Sequence, residues 1–457
     1  MFESLQSLKR KNRLLEPDSQ NSRRLTFLRL FCAVQIVSAL YMWFQFKQTG
    51  YLPAPFVYDK NDTYMDLFHP MFWSDNMGVY TTWGSVYPPI NFLFLQPIKY
   101  LITSSREAAN AFELRADAGK YPVWLFVGYA AIPFLMLRSR LWRVFSAREI
   151  IPIFLAIVFA SPMLFTLERG NLILLALPVL ALAVAATGTL CCIAVAILIN
   201  IKPYFAIIIF AFFLVRRFEY ALITTLAAGA IFLLSGILLD ENFMFFVPNV
   251  LNFSQEDALF SVREMLSLPS TLSHYAQVLR AVIAQGGGIG LRGVEAGVLA
   301  TTLEALKWMV LAISLGGLWF ARALPLQIVV VVSIAIISNL GTWVGGYSFI
   351  FYLPLVPILM KMRYRKLYLG IVLTMFAPLD IVSLLKQDIG LQDVYLSGQS
   401  VVVEWSLALG VFVRPPLNLA LLVILTFEII ERFVPVERRR ESKRDVPEAL
   451  GVDRHPA

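Results

Sequence analysis

Two aspartates in a short polar segment are the residues of this chain best suited to chemistry. Asp62 and Asp66 are four residues apart, so their carboxylates face the same way if the segment is helical. Two neighbouring carboxylates resist joint ionisation, which raises the pKa of one of them toward the range useful to a general base. The segment therefore predicts acid–base catalysis, with a solvated acidic loop as the alternative. His69 follows closely and is a candidate substrate contact.

A polar turn between two apolar runs contains Glu168, Arg169 and Asn171. In so short a turn, a Glu–Arg pair either neutralises itself at the surface or reaches into a polar cavity. Tyr87 precedes two prolines, which also suit the first turn of a helix. We treat Tyr87, Glu168 and Asn171 as candidate substrate contacts.

Lys202 lies between two apolar runs, directly before Pro203. A charged side chain at mid-membrane depth costs about 2.5–3.5 kcal/mol on insertion scales, so such a residue is functional by default. Pro203 interrupts the helix and frees backbone groups that can line a cavity. The alternative is a lysine that extends from a helix end to the membrane surface. Lys202 is therefore a candidate site for a lipid phosphate.

A second long polar segment contains His274 and Tyr275, which are candidate contacts to sugar or phosphate. A lone loop histidine is more often simply solvated. The first polar segment has no Asp-x-Asp pair, and the three cysteines lie in apolar runs. We therefore predict no metal and no cofactor, with a divalent cation as the alternative.

The composition is that of an integral membrane protein. Of the 457 residues, 58% are hydrophobic and 15% are charged, whereas soluble domains have about 25% charged residues. Apolar runs of about 17–25 residues indicate membrane helices, and some of the runs here are shorter. We predict an all-α polytopic bundle of about twelve transmembrane helices. The runs are 26–46, 121–138, 150–167, 171–187, 189–201, 203–215, 219–239, 299–321, 324–340, 346–361, 366–384 and 408–430.

Basic residues predict the orientation, because cytoplasmic segments collect Lys and Arg. Both termini are then cytoplasmic, and the net charge of +8 needs no nucleic acid to explain it. This orientation requires that the segment 88–103 does not cross the membrane. We therefore predict that 88–103 forms an interfacial or re-entrant helix on the outer face. The predicted parts are a basic tail 1–24, a transmembrane module 25–240 with a first outer loop 47–120, a second outer loop 241–298, transmembrane helices 299–431 and a charged tail 432–457.

An ordered set of motifs resembles a known family over about residues 26–220. The motifs are the acidic first outer loop, Tyr87-Pro88-Pro89 with Leu93 and Pro97, Gly170-Asn171, and Lys202-Pro203-Tyr204 followed by Arg216-Arg217. Together they resemble the polyprenyl-phosphate-mannose-dependent mannosyltransferases of the GT-C superfamily, glycosyltransferase family 87.

The resemblance implies an inverting sugar transferase in the cell membrane, with its active site facing outside. A first-loop aspartate would act as general base on an acceptor hydroxyl, and the sugar donor would be a polyprenyl phosphate. The family commonly has Tyr four residues after this aspartate, whereas here Asp66 follows Asp62 and Pro70 follows Asp66. Both aspartates therefore stay open as the base. Lys202, Arg169 and Tyr204 would hold the donor phosphate. The implied partners are membrane lipids, the donor, and a glycolipid or polysaccharide acceptor.

Two other functions fit parts of the pattern. A polysaccharide polymerase or ligase would also have large outer loops and act on lipid-linked sugars. A lipid or solute transporter would also use buried charges and broken helices. No internal repeat is visible, and the polar residues gather in two outer loops rather than across several helices, which disfavours transport.

Overall fold

The protein is mostly helical and carries one small sheet in a computed structural model. The structure describes residues 2–56, 59–74, 78–103, 108–119, 121–139, 142–143, 145–239, 242–256, 293–321, 324–340 and 346–434. The helices are α1 Phe2–Thr49, α2 Met65–Trp73, α3 Pro89–Ile102, α4 Ala111–Asp117, α5 Tyr121–Leu137, α6 Ala147–Val158, α7 Ser161–Arg169, α8 Ala176–Ala185, α9 Thr189–Ile201, α10 Ile207–Leu214, α11 Phe218–Leu239, α12 Phe246–Glu256, α13 Gly293–Phe320, α14 Leu326–Leu340, α15 Val356–Leu359, α16 Arg365–Phe376 and α17 Leu409–Phe433.

Four helices are long and apolar enough to cross a membrane within the described ranges. They are Ser22–Thr49 of α1, α11, Thr301–Phe320 of α13, and α17. The number rises to six if two bent pairs, α4 with α5 and α6 with α7, each form one span. The other apolar helices are shorter, so twelve full-length spans are not found by this criterion.

The buried core and the exposed apolar faces are separate. Helices α8 and α14 lie inside, and Val329–Asn339 of α14 is buried throughout. In contrast, α1, α5, α11 and α13 expose large apolar side chains to the surroundings. Apolar faces of this extent are typical of contact with membrane lipid.

Helix α3 is too short to cross a bilayer. Its 14 residues give about 21 Å at 1.5 Å per residue, against a hydrocarbon core of about 30 Å. It begins with Pro89 at its first position, where the missing N–H costs no hydrogen bond. Its location relative to the membrane stays a prediction.

The prediction of an all-α fold is wrong between residues 383 and 408. Strands β1 Ser383–Val394 and β2 Gln399–Ala408 form an antiparallel hairpin, with Val394 opposite Gln399 at the turn. The predicted helix 366–384 instead ends at Phe376, because Ala377 precedes a proline and adopts an extended conformation. Gly398, at φ +66°, completes the turn between the strands.

Candidate active site

Asp62 does not belong to helix α2, so the condition that a single helix carries both aspartates is not met. The helix begins at Met65, and Asp62 lies in the preceding turn. Tyr64 joins the two segments in a left-handed conformation, with φ +64°, which is uncommon for a residue with a side chain. Its N–H donates to the carbonyl of Glu168 at 2.8 Å, which fixes the turn against the end of α7.

Gly170 allows the two segments to approach closely. Its φ is +65°, and a Cβ atom there would lie 3.1 Å from the Cβ of Leu67. A larger residue would therefore be strained by its backbone and would push α2 away from α7. This is the structural reason for the Gly170-Asn171 motif.

Arg169 brings the two aspartates together. Its guanidinium pairs with Oδ2 of Asp62 through one terminal nitrogen and with Oδ1 of Asp66 through the other. Asn171 donates from Nδ2 to Oδ2 of Asp66 at 2.7 Å. Both oxygens of Asp66 are thus engaged. Oδ1 of Asp62 accepts no hydrogen bond from any residue that the structure describes.

The two carboxyls differ in their acidity. Burial raises the pKa of Asp62 above its ordinary value, and the nearby Arg169 only partly offsets this. Burial also disfavours the charged form of Asp66. There, however, the charge and hydrogen bond of Arg169, the amide of Asn171 and the charge of Lys202 outweigh burial and hold the pKa below its ordinary value. Asp62 is therefore the more basic of the two and also the one with an open oxygen.

Lys202 lies beside Asp66 at the break between α9 and α10. Its Nζ is 4.0 Å from the centre of the Tyr87 ring, a cation–π contact. No carboxylate of the described part of the chain lies within ion-pair distance of this ammonium group. Asn91 steadies the break, because its Nδ2 donates to the carbonyl of Asn200 at 3.1 Å. Tyr87 and Lys202 thus lie next to the Asp62–Asp66 cluster, and their predicted roles in one site stay predictions.

Tyr204 lies just beyond Lys202, with its ring centre 6.2 Å from that of Phe351. Its hydroxyl is buried and has no hydrogen-bond partner within the described ranges. An unpaired buried hydroxyl costs free energy, so it is available to a ligand that enters this region.

His69 lies one turn after Asp66 on α2. Its ring centre is 5.7 Å from that of Trp73 and 5.8 Å from that of Phe112. Burial lowers the pKa of His69 below its ordinary value, and the two nearby carboxylates do not reverse this. The lowered pKa favours the neutral form of His69, which suits hydrogen bonding rather than charge pairing.

Glu168 lies behind the turn that carries Asp62. Its Oε1 accepts a hydrogen bond from the Thr63 hydroxyl at 2.6 Å. Its other carboxylate oxygen is buried without a partner among the residues described. This position favours support of the turn over the predicted contact with a substrate.

Arg115 and Tyr395 belong to this region, and the sequence did not single them out. Arg115 of α4 donates to the carbonyl of Asn61 at 2.7 Å and also to that of Thr63, so it holds both neighbours of Asp62. Its guanidinium lies 3.7 Å from the centre of the Tyr395 ring in the β1–β2 turn. An arginine in the acidic first loop was a usable signal for Arg115, although Arg106 lies in the same loop. Tyr395 had none, because the hairpin itself was not predicted.

The predicted contacts His274 and Tyr275 lie outside the described residues. Within the described ranges, no group of three or more His, Cys, Asp or Glu side chains could hold a metal ion. No known protein family, curated protein or solved structure matches the chain in sequence or fold comparisons.

Proposed function

We propose that this protein is an integral membrane glycosyltransferase. It moves a hexose, mannose or a similar sugar, from a polyprenyl phosphate to a glycolipid or polysaccharide acceptor, with inversion. The observation that carries the proposal is the Oδ1 of Asp62, the more basic carboxyl, beside a paired Asp66 and the ammonium of Lys202; among the described residues, neither this oxygen nor this ammonium has a hydrogen-bond or ion-pair partner. This combination suits removal of a proton at one end and binding of an anion at the other.

Each group has a role in the proposed reaction. Asp62 accepts the proton of an acceptor hydroxyl as that oxygen attacks the anomeric carbon of the sugar. The bond from this carbon to the phosphate oxygen breaks, and the polyprenyl phosphate leaves with its negative charge. Lys202 stabilises that charge, and the Tyr204 hydroxyl donates to it. Arg169 is already engaged by two carboxylates, so we assign it to positioning the base rather than to the phosphate.

The proposed architecture is a GT-C-like bundle of about twelve crossings, some of them by short or broken helices. Basic Arg24, at the start of the apolar part of α1, pairs with Glu149 at the start of α6. Thr49, at the other end of α1, leads into the segment with Asp62. The helix between these points is about 38 Å long, more than a hydrocarbon core. Arg24 and the site therefore lie at opposite ends of one span, and the basic residues before this span favour a cytoplasmic N-terminus and a site at the outer face.

The test is sugar transfer in reconstituted vesicles. Purified protein is given polyprenyl phosphates that carry labelled mannose or glucose, together with a glycolipid extract. We expect a labelled glycolipid or glycan with inverted anomeric configuration. Lys202→Met should raise the Kd for donor more than that for acceptor, whereas Lys361→Met, at an exposed lysine away from the site, should change neither.

No product from any polyprenyl-phosphate hexose would contradict the proposal. Equal losses of donor and acceptor binding in Lys202→Met would contradict the role of this lysine. Transfer of a preassembled oligosaccharide instead of one sugar would favour the polymerase or ligase alternative. Uptake of the donor without cleavage would favour transport.

A further inference from the structure

A row of aromatic rings begins one turn from the two carboxylates. Asp66, His69 and Trp73 lie on one face of α2, because they are three and seven residues apart. Beyond Trp73 the row continues to Trp83, whose ring centre is 6.3 Å away at an angle of only 17°. The planes of His69 and Trp73 are also close to parallel, at 28°.

These rings leave part of their faces uncovered. Two parallel rings in full face-to-face contact would have much closer centres than 6.3 Å, so Trp73 and Trp83 are displaced sideways. Trp83 is 40% exposed, and Trp73 and His69 are half-buried. The row is therefore a series of offset, partly stacked rings next to the candidate base, with the exposed part of Trp83 at its far end.

The loop that carries Trp83 is held rigidly. Thr82 and Trp83 both donate from their N–H groups to the carbonyl of Gly78, at 2.7 and 3.0 Å. Gly78 has φ +92°, and a Cβ atom there would lie 2.3 Å from Thr82 Oγ1. The hydroxyl of Tyr80 donates to the carbonyl of Tyr87 at 2.9 Å, which ties this loop to the tyrosine beside Lys202. A tryptophan exposed on a fixed backbone binds a partner with little loss of conformational freedom.

The surroundings of Trp83 indicate what kind of partner fits. Exposed Thr81 and Thr82 precede it and exposed Gly84 follows it. A segment that anchors in lipid would be apolar on both sides, whereas a sugar ring needs an apolar face together with nearby hydroxyl partners. Arg169 and Arg115 balance the charges of Asp62 and Asp66 around His69, so these surroundings fit a neutral ligand.

We propose that His69, Trp73 and Trp83 form a platform for the sugar rings of a neutral oligosaccharide. Resting on the proposed transferase function, this makes the acceptor a glycan of several sugars rather than a single headgroup. Its terminal hydroxyl would reach Asp62 while preceding sugars stack on the two tryptophans. The acceptor must contain several sugars because the three rings extend away from the candidate base Asp62.

The test measures saccharide binding apart from transfer. Saturation-transfer NMR on the full chain in nanodiscs, with mannotetraose, maltotetraose and free mannose as probes, should show binding of at least one tetrasaccharide. That tetrasaccharide should bind several-fold more tightly than mannose. Trp73→Leu and Trp83→Leu should each weaken it about tenfold, since a lost aromatic contact is worth roughly one factor of ten.

Two control variants separate this inference from the proposed reaction. Trp319→Leu removes a tryptophan of similar exposure, 42%, on α13 and should leave binding unchanged. Asp62→Asn should abolish transfer and keep saccharide binding. If the unchanged protein binds the tetrasaccharide but transfers no sugar, the result would count against the transferase function and leave the platform standing.

Three results would overturn the platform. The first is no tetrasaccharide binding by the unchanged protein, and the second is equal binding by Trp83→Leu. The third is quenching of tryptophan fluorescence by brominated lipids that is smaller in Trp83→Leu than in the unchanged protein, which would identify the row as a membrane anchor.

Discussion

The Arg169 cluster and the Arg414 cluster are built from the same two residue types in different surroundings. Arg414 donates to both oxygens of Asp380 and to the carbonyls of Met375 and Ala377, and neither partner of the ion pair is exposed. Arg169 serves two carboxylates that are 24% and 19% exposed, and one carboxylate oxygen is left open. The first cluster is complete without a ligand, whereas the second is not.

The local sequence explains the difference. Gly410 lies one helical turn before Arg414, where a Cβ atom would come within 2.2 Å of the guanidinium, so the glycine admits the arginine into the helix packing. The hydrogen bonds of Arg414 therefore join the C-terminal end of α16 to the N-terminal part of α17. At the Arg169 cluster, Tyr64 and Gly170 both have positive φ angles and form turns, so the two aspartates lie near helix ends instead. An ion pair in which every polar atom has a partner mainly affects stability. An ion pair with an open carboxylate oxygen is available for chemistry.

The same substitution at both arginines should separate these roles. Arg169→Met leaves two adjacent carboxylates without their cation, and we expect transfer to fall about 10²–10³-fold, as for loss of one preorganised electrostatic group. Arg414→Met leaves a buried, unpaired carboxylate and should cost about 3–5 kcal/mol of stability. Transfer per folded molecule should be nearly unchanged there.

Thermal unfolding in detergent and transfer normalised to folded protein measure the two effects. Asp380→Leu combined with Arg414→Met is the control, and it should recover much of the stability because no buried charge remains. A comparable loss of transfer in both single variants would remove the distinction between the clusters.

The hairpin provides a smaller perturbation of the Arg169 cluster. Tyr395→Leu removes the ring on which Arg115 lies, and Arg115 holds the carbonyls on both sides of Asp62. We expect about a tenfold fall in turnover, because a displaced base loses reactive geometry. Leu391→Ala, at an exposed position of β1, is the matched control. Unchanged turnover in Tyr395→Leu would show that the hairpin does not position the base.

The two aspartates should affect stability with opposite signs at neutral pH. Asp66 has a lowered pKa, so its stabilisation is present above its unfolded pKa and lost as the pH falls through its folded one. Asp62 has a raised pKa, so its ionised form destabilises the fold at pH 7. Asp66→Asn should therefore lower the melting temperature at pH 7, and Asp62→Asn should raise it.

The Asp62 difference should shrink as the pH falls toward about 4, because its raised folded pKa lies above that of an ordinary aspartate, whereas the Asp66 difference should shrink only below about 4. Melting curves from pH 7 to pH 3 test this directly. Shifts of the same sign in the two variants at pH 7 would contradict the assignment of the more basic carboxyl.

Apolar length predicted the long helices well. The runs 121–138, 219–239 and 408–430 match α5, α11 and α17 closely, because a continuous apolar run is sufficient to define such a helix. The hairpin was missed because its strands are also rich in Val and Leu and follow an apolar run. The boundaries of the hairpin could have been recognised from Asp380, Gly390 and Gly398.

The residues of the candidate site could be selected from motif order, but their geometry could not. The structure brings Asp62, Asp66, Arg169 and Lys202 close together, and their roles stay predictions. Which aspartate keeps an open oxygen depends on where α2 begins, and helix boundaries are poorly predicted from sequence. The contact of Arg115 with Tyr395 joins residues far apart in the chain, so no local pattern could reveal it.

Turnover and donor binding of Asp62→Asn, measured side by side in vesicles, test the central claim most directly. Loss of the base should reduce sugar transfer by about 10²–10⁴-fold. The Kd for the polyprenyl-phosphate donor should stay within about twofold, because Lys202 and Tyr204 are untouched. Full turnover in Asp62→Asn would contradict the account, since the open carboxylate oxygen would then have no part in the reaction.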